Sequence, residues 1–383
     1  MKKLALFVCL LVSLVSFGQN TEKVNNFVFT PVADIEATSV GNQNKSSTCW
    51  SYSSLSFFES ELMRMGKDSV KLAPIFVVRK SYADKVAKYI RMQGTINLGP
   101  GGAFHDAAYV IKNYGMVPYS VYKGDRTGDA NPVHAELDAM MKSMADIIVQ
   151  AKNGKKISTV HMDAVNGVLD AYLGKVPEEF MYNGKKYTPK SYAQSLGLNM
   201  DDYVAITSFN HHPFYQQFML EVPDNWQWGM FHNIPVDELR QVMDNALNKG
   251  YGIAWASDVS EKGFSWSNGV AIAPATDWDE MDKAEKDTIF NSPSKQLTIT
   301  DSLRRMAFDN QTTQDDHGMH ITGMVKDQTG TVYYKVKNSW GASNKCGGYI
   351  YASQAYVLYK TTNILVHKDA IPDAIAKKMG IKK

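Results

Sequence analysis

The period of the hydrophobic pattern changes along the chain, and the changes mark the elements. From Cys49 the text reads "CWSYSSLSFFESELMRMG", with apolar residues at Trp50, Leu55, Phe57, Phe58, Leu62, Met63 and Met65. That spacing predicts a helix, with Gly66 as its stop and Ser47 or Thr48 placed to cap its start. "HAELDAMMKSMADIIVQAK" and "VDELRQVMDNALNKG", from His134 and Val236, repeat the helical period. "YVAITSF" and "FMLEV", from Tyr203 and Phe218, read instead as strands. Near the far end "HITGMV" and "TVYYKV" are two strands joined by the turn "KDQTG". Such a hairpin brings His317, where the first strand is entered, close to Asn338, where the second is left. Helices and strands therefore mix in an α+β chain.

The start of the chain is patterned differently. "MKKLALFVCLLVSLVSFGQN" has two lysines, an apolar run and then small residues, the layout of a secretory signal peptide over residues 1–18. The alternative, a retained anchor, asks for a longer run than this. Export to the periplasm or beyond the cell is expected, with no membrane association after cleavage.

Composition narrows the partners. The chain has 383 residues and a formal net charge of +2, with no long basic run, so nucleic acid is not an implied partner. Three cysteines occur, at Cys9, Cys49 and Cys346. After signal cleavage the last two could close a disulfide, or Cys49 could remain a thiol; the two readings exclude each other. A thiol at a helix N-terminus meets unpaired N–H groups and the helix dipole, which favour the thiolate. A hydrolase built on it needs a histidine base, an orienting group and oxyanion donors. Gln43, six residues earlier, is either such a donor or a polar loop residue. Asn338 can accept from one imidazole nitrogen while the other faces a thiol, with Trp340 covering that bond.

Gln43, Cys49–Trp50, the late His–Gly and the run Asn338–Ser339–Trp340–Gly341 together resemble papain-like cysteine peptidases. "GPGGAFHDAAYVIKNYGMVPYSVYKG", "GYGIAWASDVSEKGF" and "GGYIYASQAYVLYKTTNILVHKDAIP" resemble the bleomycin hydrolase, or aminopeptidase C, branch. The resemblance implies a two-lobe fold, a helical lobe plus an antiparallel β-barrel lobe. It divides the chain into a helical lobe at 19–122, a mainly helical insertion at 123–249 packed on the second lobe, and the barrel lobe with its extension at 250–383. It implies Cys49 as nucleophile, His317 as base, Asn338 as orienting group and Gln43 with the Cys49 N–H as oxyanion donors. Gly101 and Gly102 would offer backbone to a peptide substrate beside Trp340. His317 is preferred to His320 because Gly318 and Gly323 follow it in the family's pattern, and strand alternation turns the two histidines to opposite faces. The branch often forms hexamers, and its C-terminal tail lies in the cleft and holds the substrate's amino group, making an aminopeptidase. Here Lys382 and Lys383 end the chain, so an open-cleft endopeptidase stays as the alternative, with an inactive papain-fold binding protein behind it. Only about thirty residues separate the cleavage site from Cys49, so a long inhibitory pro-segment is not expected. Ser47 stands where the family has glycine. No cofactor is implied. No metal is expected either: "DDHGMH" suits neither one helix face nor one strand face, and the neighbours His211 and His212 would point apart in a strand and read instead as a solvated turn.

Overall fold

A computed structural model describes residues 21–151 and 154–383. The expected signal peptide at 1–18 lies outside the described residues. The chain opens with strands β1 (Glu22–Val24) and β2 (Phe27–Asp34). Three helices follow, α1 (Cys49–Arg64), α2 (Pro74–Arg91) and α3 (Phe104–Tyr114). The middle brings α4 (Ala135–Gln150), α5 (His161–Leu173), the hairpin β3 (Phe180–Tyr182) and β4 (Lys185–Tyr187), and α6 (Pro189–Leu196). Next come β5 (Tyr203–Thr207), β6 (Gln217–Met219), β7 (Met230–Asn233), α7 (Val236–Asn248), β8 (Ile253–Ser257), β9 (Phe264–Ser265) and β10 (Val270–Ala271). The last part holds α8 (Lys283–Thr288), α9 (Asp301–Asp309), β11 (His317–Lys326), β12 (Val332–Lys337), β13 (Tyr349–Ser353), α10 (Gln354–Lys360), β14 (Thr361–His367) and α11 (Asp373–Lys378).

All strands but β3 and β4 join one sheet, ordered β6-β7-β5-β14-β8-β11-β12-β13-β10-β9, with β2 also paired to β11. The predicted hairpin is β11–β12, antiparallel and running from His320 opposite Lys337 to Lys326 opposite Val332. The expected barrel is corrected: the path is open, since β6 pairs only with β7 and β9 only with β10.

The two largest apolar cores among the described residues flank this sheet. One joins α1–α6 to Ala254, Ala256 and Leu365 of the strands. The other packs α7, α10 and α11 against Trp255, Met319, Ile321, Ile364 and their neighbours. The alternation of Ala254 and Ala256 with Trp255 is the period-2 signature of a strand covered on both faces. Only part of the expected insertion packs on the second lobe. Leu137, Met141, Val165 and Leu169 of α4 and α5 bury against the first core, not on the second lobe, while β5–β7 extend the sheet and α7 covers its other face.

Between α1 and β11 the contact is partly polar. His320 Nδ1 meets Ser56 Oγ at 3.0 Å, and Lys337 Nζ donates to Ser56 Oγ at 2.8 Å and to Thr38 Oγ1 at 3.1 Å. Thr38 in turn donates to Glu59. Burial pushes Lys337 down to about 8 and Glu59 up from its ordinary value. No helix among the described residues is long and apolar enough to cross a membrane.

Candidate active site

Cys49 is the first residue of α1. The helix starts there because Ser47 takes a left-handed turn, φ 54°, and Thr48 accepts through its backbone carbonyl. No side chain caps the start: Thr48 Oγ1 meets Ser46 Oγ at 2.5 Å, so the expected cap by Ser47 or Thr48 is not made. Both Cys49 and Cys346 are free thiols, which removes the disulfide reading. Cys346 faces the Gly269 carbonyl, far along the chain from α1.

His317 opens β11, and Gly318 lets that strand approach the helix. A Cβ on Gly318 would meet Ser53 Oγ at 2.8 Å and the Trp50 Cα at 3.2 Å. Cys49 and His317 thereby line one cavity, with Trp50, Gly102, Ala103, Phe104, Asp224, Ala256, Asp315, Asp316, Gly318 and Asn363. It measures about 20 Å³. A separate cavity of about 250 Å³ lies behind Asn338 and Ser339, lined by Tyr52, Glu59 and Lys337, and does not include Cys49.

His317 Nε2 lies 2.7 Å from Asn338 Oδ1, and both residues are buried. The same Oδ1 accepts from the Ser339 N–H at 2.7 Å, which identifies it as the amide oxygen. An oxygen can only accept, so Nε2 carries the proton and Nδ1 has a free lone pair. The Trp340 ring lies 4.6 Å from the imidazole, tilted by 34°. Gln43 is tied to the same turn. Its N–H donates to Ser339 O at 2.8 Å, and its Oε1 accepts from Ser339 Oγ at 2.6 Å, leaving its Nε2 unspent.

The sequence-based expectation of a thiol lowered by the helix start is corrected. Burial pushes the Cys49 thiol up to about 12; the Gly318 backbone N–H pulls it down, and Asp224 and Asp315 raise it further. Burial likewise pushes His317 down to about 4, against the Asn338 hydrogen bond. A helix end offers a few tenths of a charge, while a dry cavity penalises a full one. The resting pair is therefore a neutral thiol beside a neutral imidazole.

Gly101 and Gly102 part company. Trp50 Nε1 donates to Pro100 O at 3.0 Å, and buried Lys85 donates to the carbonyls of Gly99 and Gly101, fixing this segment beside α1. Gly102 lines the cavity, but Gly101 lies under the Asp224 side chain. Asp224, Asp315 and Asn363 were not singled out by the sequence pattern. Burial raises both carboxyl groups, Asp315 to about 7, and the neighbouring Asp224 charge is the next cause there. The doubled aspartate before His317 and the aromatic "NWQWG" loop were the available signals.

The tail lies elsewhere. Lys383 reaches Ile371 O and the Asp373 carboxylate, 2.5 Å away, and Ile375 and Met379 bury in the second core. No residue after Asn363 lines the Cys49 cavity. His211 and His212 lie in the expected turn, which lets their side chains converge: their rings lie 4.7 Å apart and both reach Glu221, at 2.9 and 3.2 Å. Those three side chains could hold a metal ion, but Glu221 already engages both imidazoles.

Comparison with known proteins places this architecture. The protein is a cysteine-type peptidase and belongs to the Peptidase C1-like family, whose model matches residues 11–382. It is similar to Aminopeptidase C of Streptococcus thermophilus, 23% identical over 92% of this chain and 84% of that protein. It is also similar to Bleomycin hydrolase of Rattus norvegicus, 22% identical over 91% of this chain and 84% of that one. Among solved structures, PepW from Lactobacillus rhamnosis HN001 shares the fold with a TM-score of 0.71 at 18% identity, over 92% of this chain and 84% of that one.

Proposed function

We propose that this peptidase is an aminopeptidase of the aminopeptidase C and bleomycin hydrolase type, acting through Cys49, His317 and Asn338 on a papain-like two-lobe scaffold. One observation carries the reading: the 2.7 Å bond from His317 Nε2 to Asn338 Oδ1, which leaves Nδ1 free in the cavity that Cys49 also lines. Transfer of the thiol proton to Nδ1 creates both charges together, so their attraction offsets the burial that opposes each alone. The thiolate then attacks the peptide carbonyl. The Cys49 N–H and Gln43 Nε2 receive the oxyanion, and His317 returns its proton to the departing amine. Water attacks the thioester with His317 as base, freeing the acid and the thiol. Gly102 lines the substrate's path, and Trp340 shields the His317–Asn338 bond from water.

The lysine-led apolar start supports export. The test compares the full chain with Cys49→Ala on an aminoacyl fluorogenic substrate and on its N-acetylated form, under reducing conditions. The aminopeptidase reading expects cleavage of the free-amine substrate alone, lost in the variant. Cleavage of the acetylated substrate would establish an endopeptidase. No cleavage of either, with Cys49 still open to alkylation, would point to a binding protein.

A further inference from the structure

We propose that Asp224, Asp315 and Asn363 hold the free α-ammonium of the substrate's first residue, so that side chains within the cleft, not the chain's own tail, set the single-residue cut. This deepens the peptidase reading above and rests on it.

The cavity has room for about one water-sized group, since a water needs at least ~10–15 Å³. An ammonium is of that size. Cys49 and His317 line it together with Asp224, Asp315 and Asn363.

Each acceptor is held in place and left unspent. Asp224 rides on a loop fixed at several points. Asn225 bonds Leu220 O and both backbone groups of Gly229 at 2.7–3.1 Å. Trp226 Nε1 donates to buried Asp106 Oδ2 at 2.8 Å, and the Lys88 ammonium sits 3.4 Å over the Trp228 ring. This loop sets the Asp224 carboxylate against Gly101, in space that any side chain there would fill. Among the described residues its one hydrogen-bond donor is Asn97 Nδ2, at 3.4 Å to Oδ1.

Asp315 and Asn363 are oriented through Thr362. Thr362 Oγ1 donates its one proton to Asp315 Oδ1 at 2.8 Å. It must then accept from Asn363 Nδ2, at 3.3 Å, which fixes that amide's orientation. Asn363 is 3% exposed, and its Oδ1 accepts no hydrogen bond among the described residues. Three oxygens are thus free for an ammonium, which has three donors and no acceptor.

The nearby cation, Lys85, attracts the Asp224 carboxylate through its charge but makes no hydrogen bond to it. Lys85 spends its ammonium on the carbonyls of Gly99 and Gly101. Asp316 plays another part, its two oxygens accepting from Val259 N at 2.9 Å and Ser260 N at 3.0 Å. An acetylated amine would bring neither charge nor three donors, and its acyl group would need more space.

The experiment uses the full chain and the variants Asp224→Asn, Asp315→Asn and both together. The ratio of kcat/KM for free over N-acetylated aminoacyl substrate is expected to fall about 100-fold in the double variant, chiefly through KM. A second readout needs no turnover. Leucinamide should slow alkylation of Cys49 by iodoacetamide in the wild type, N-acetyl-leucinamide should not, and the double variant should lose the difference. Equal protection by both amides in the wild type overturns the proposal. So does wild-type selectivity in a double variant with an unchanged unfolding midpoint. If neither substrate is cleaved, the peptidase reading fails by itself, and the protection assay still decides whether the ammonium is held.

Discussion

Asn338→Ala removes the one acceptor that orients His317. In the wild type Nε2–H donates to Asn338 Oδ1 at 2.7 Å inside a buried site, and this bond raises the imidazole pKa against burial. Without it the imidazolium loses its partner and its pKa falls further below about 4. Hydrogen bonds to charged groups contribute ~1.5–3 kcal/mol, and ~1.4 kcal/mol is tenfold. The thiolate–imidazolium pair should therefore become about 10- to 100-fold scarcer. The alkylation rate of Cys49 by iodoacetamide at fixed pH reads that population directly, without any substrate. Asn338→Asp is the control, because a carboxylate keeps an acceptor for both Nε2–H and the Ser339 N–H and favours the imidazolium. It should restore or exceed the wild-type rate. An alkylation rate in Asn338→Ala equal to wild type, in protein with an unchanged unfolding midpoint, would refute the assignment of Asn338 and with it the Nδ1-basic tautomer.

Three further outcomes follow from particular positions. Asp315 is held up at about 7, so between about pH 4 and pH 7 the folded chain binds more protons than the unfolded one and stability falls as pH rises. Asp315→Asn should abolish that slope and gain on the order of 1–3 kcal/mol at pH 8 but not at pH 4, discounted for partial exposure and read by urea titration at both. Ser47 sits at φ 54°, so Ser47→Gly should raise the unfolding free energy by about 0.5 kcal/mol, the relief of left-handed strain less the added chain entropy, and shift the urea midpoint up; a lowered midpoint would contradict it. Gly318→Ala drives a methyl into Ser53 Oγ and the Trp50 backbone, and should cost about 1–3 kcal/mol and lower the turnover number by shifting His317 from the thiol.

Much of the site was legible because it is local. A 3.6-residue pattern set α1 behind Cys49, and two alternating runs with a turn set His317 and Asn338 at the open end of one hairpin. What stayed hidden depends on pairing at long range. Asn363 reaches the cavity because β14 lies beside β8, which pairs in turn with β11, and nothing near position 363 encodes that order. Asp224 arrives through Trp226 reaching Asp106, across more than a hundred residues of chain. The thiol was misjudged for a related reason. A helix start is visible in sequence, whereas the dryness of a cavity made by other segments is not. The resemblance likewise implied a barrel and a helical insertion on the second lobe, while the sheet ends in two separate edges and α4–α6 join the first core.

The polar contact between α1 and β11 has a consequence for endurance. Cys49 and His317 face each other where α1 meets the sheet, and there Ser56, His320, Lys337, Thr38 and Glu59 lie beside the apolar contact of α1 with Ala254 and Ala256. Polar joins open at lower cost than apolar cores, so mild denaturant should silence the thiol before either core melts. The same arrangement gives evolution latitude: either core can drift in its packing without moving the reacting atoms, provided Gly318 and its neighbours keep the helix start and the strand start in register.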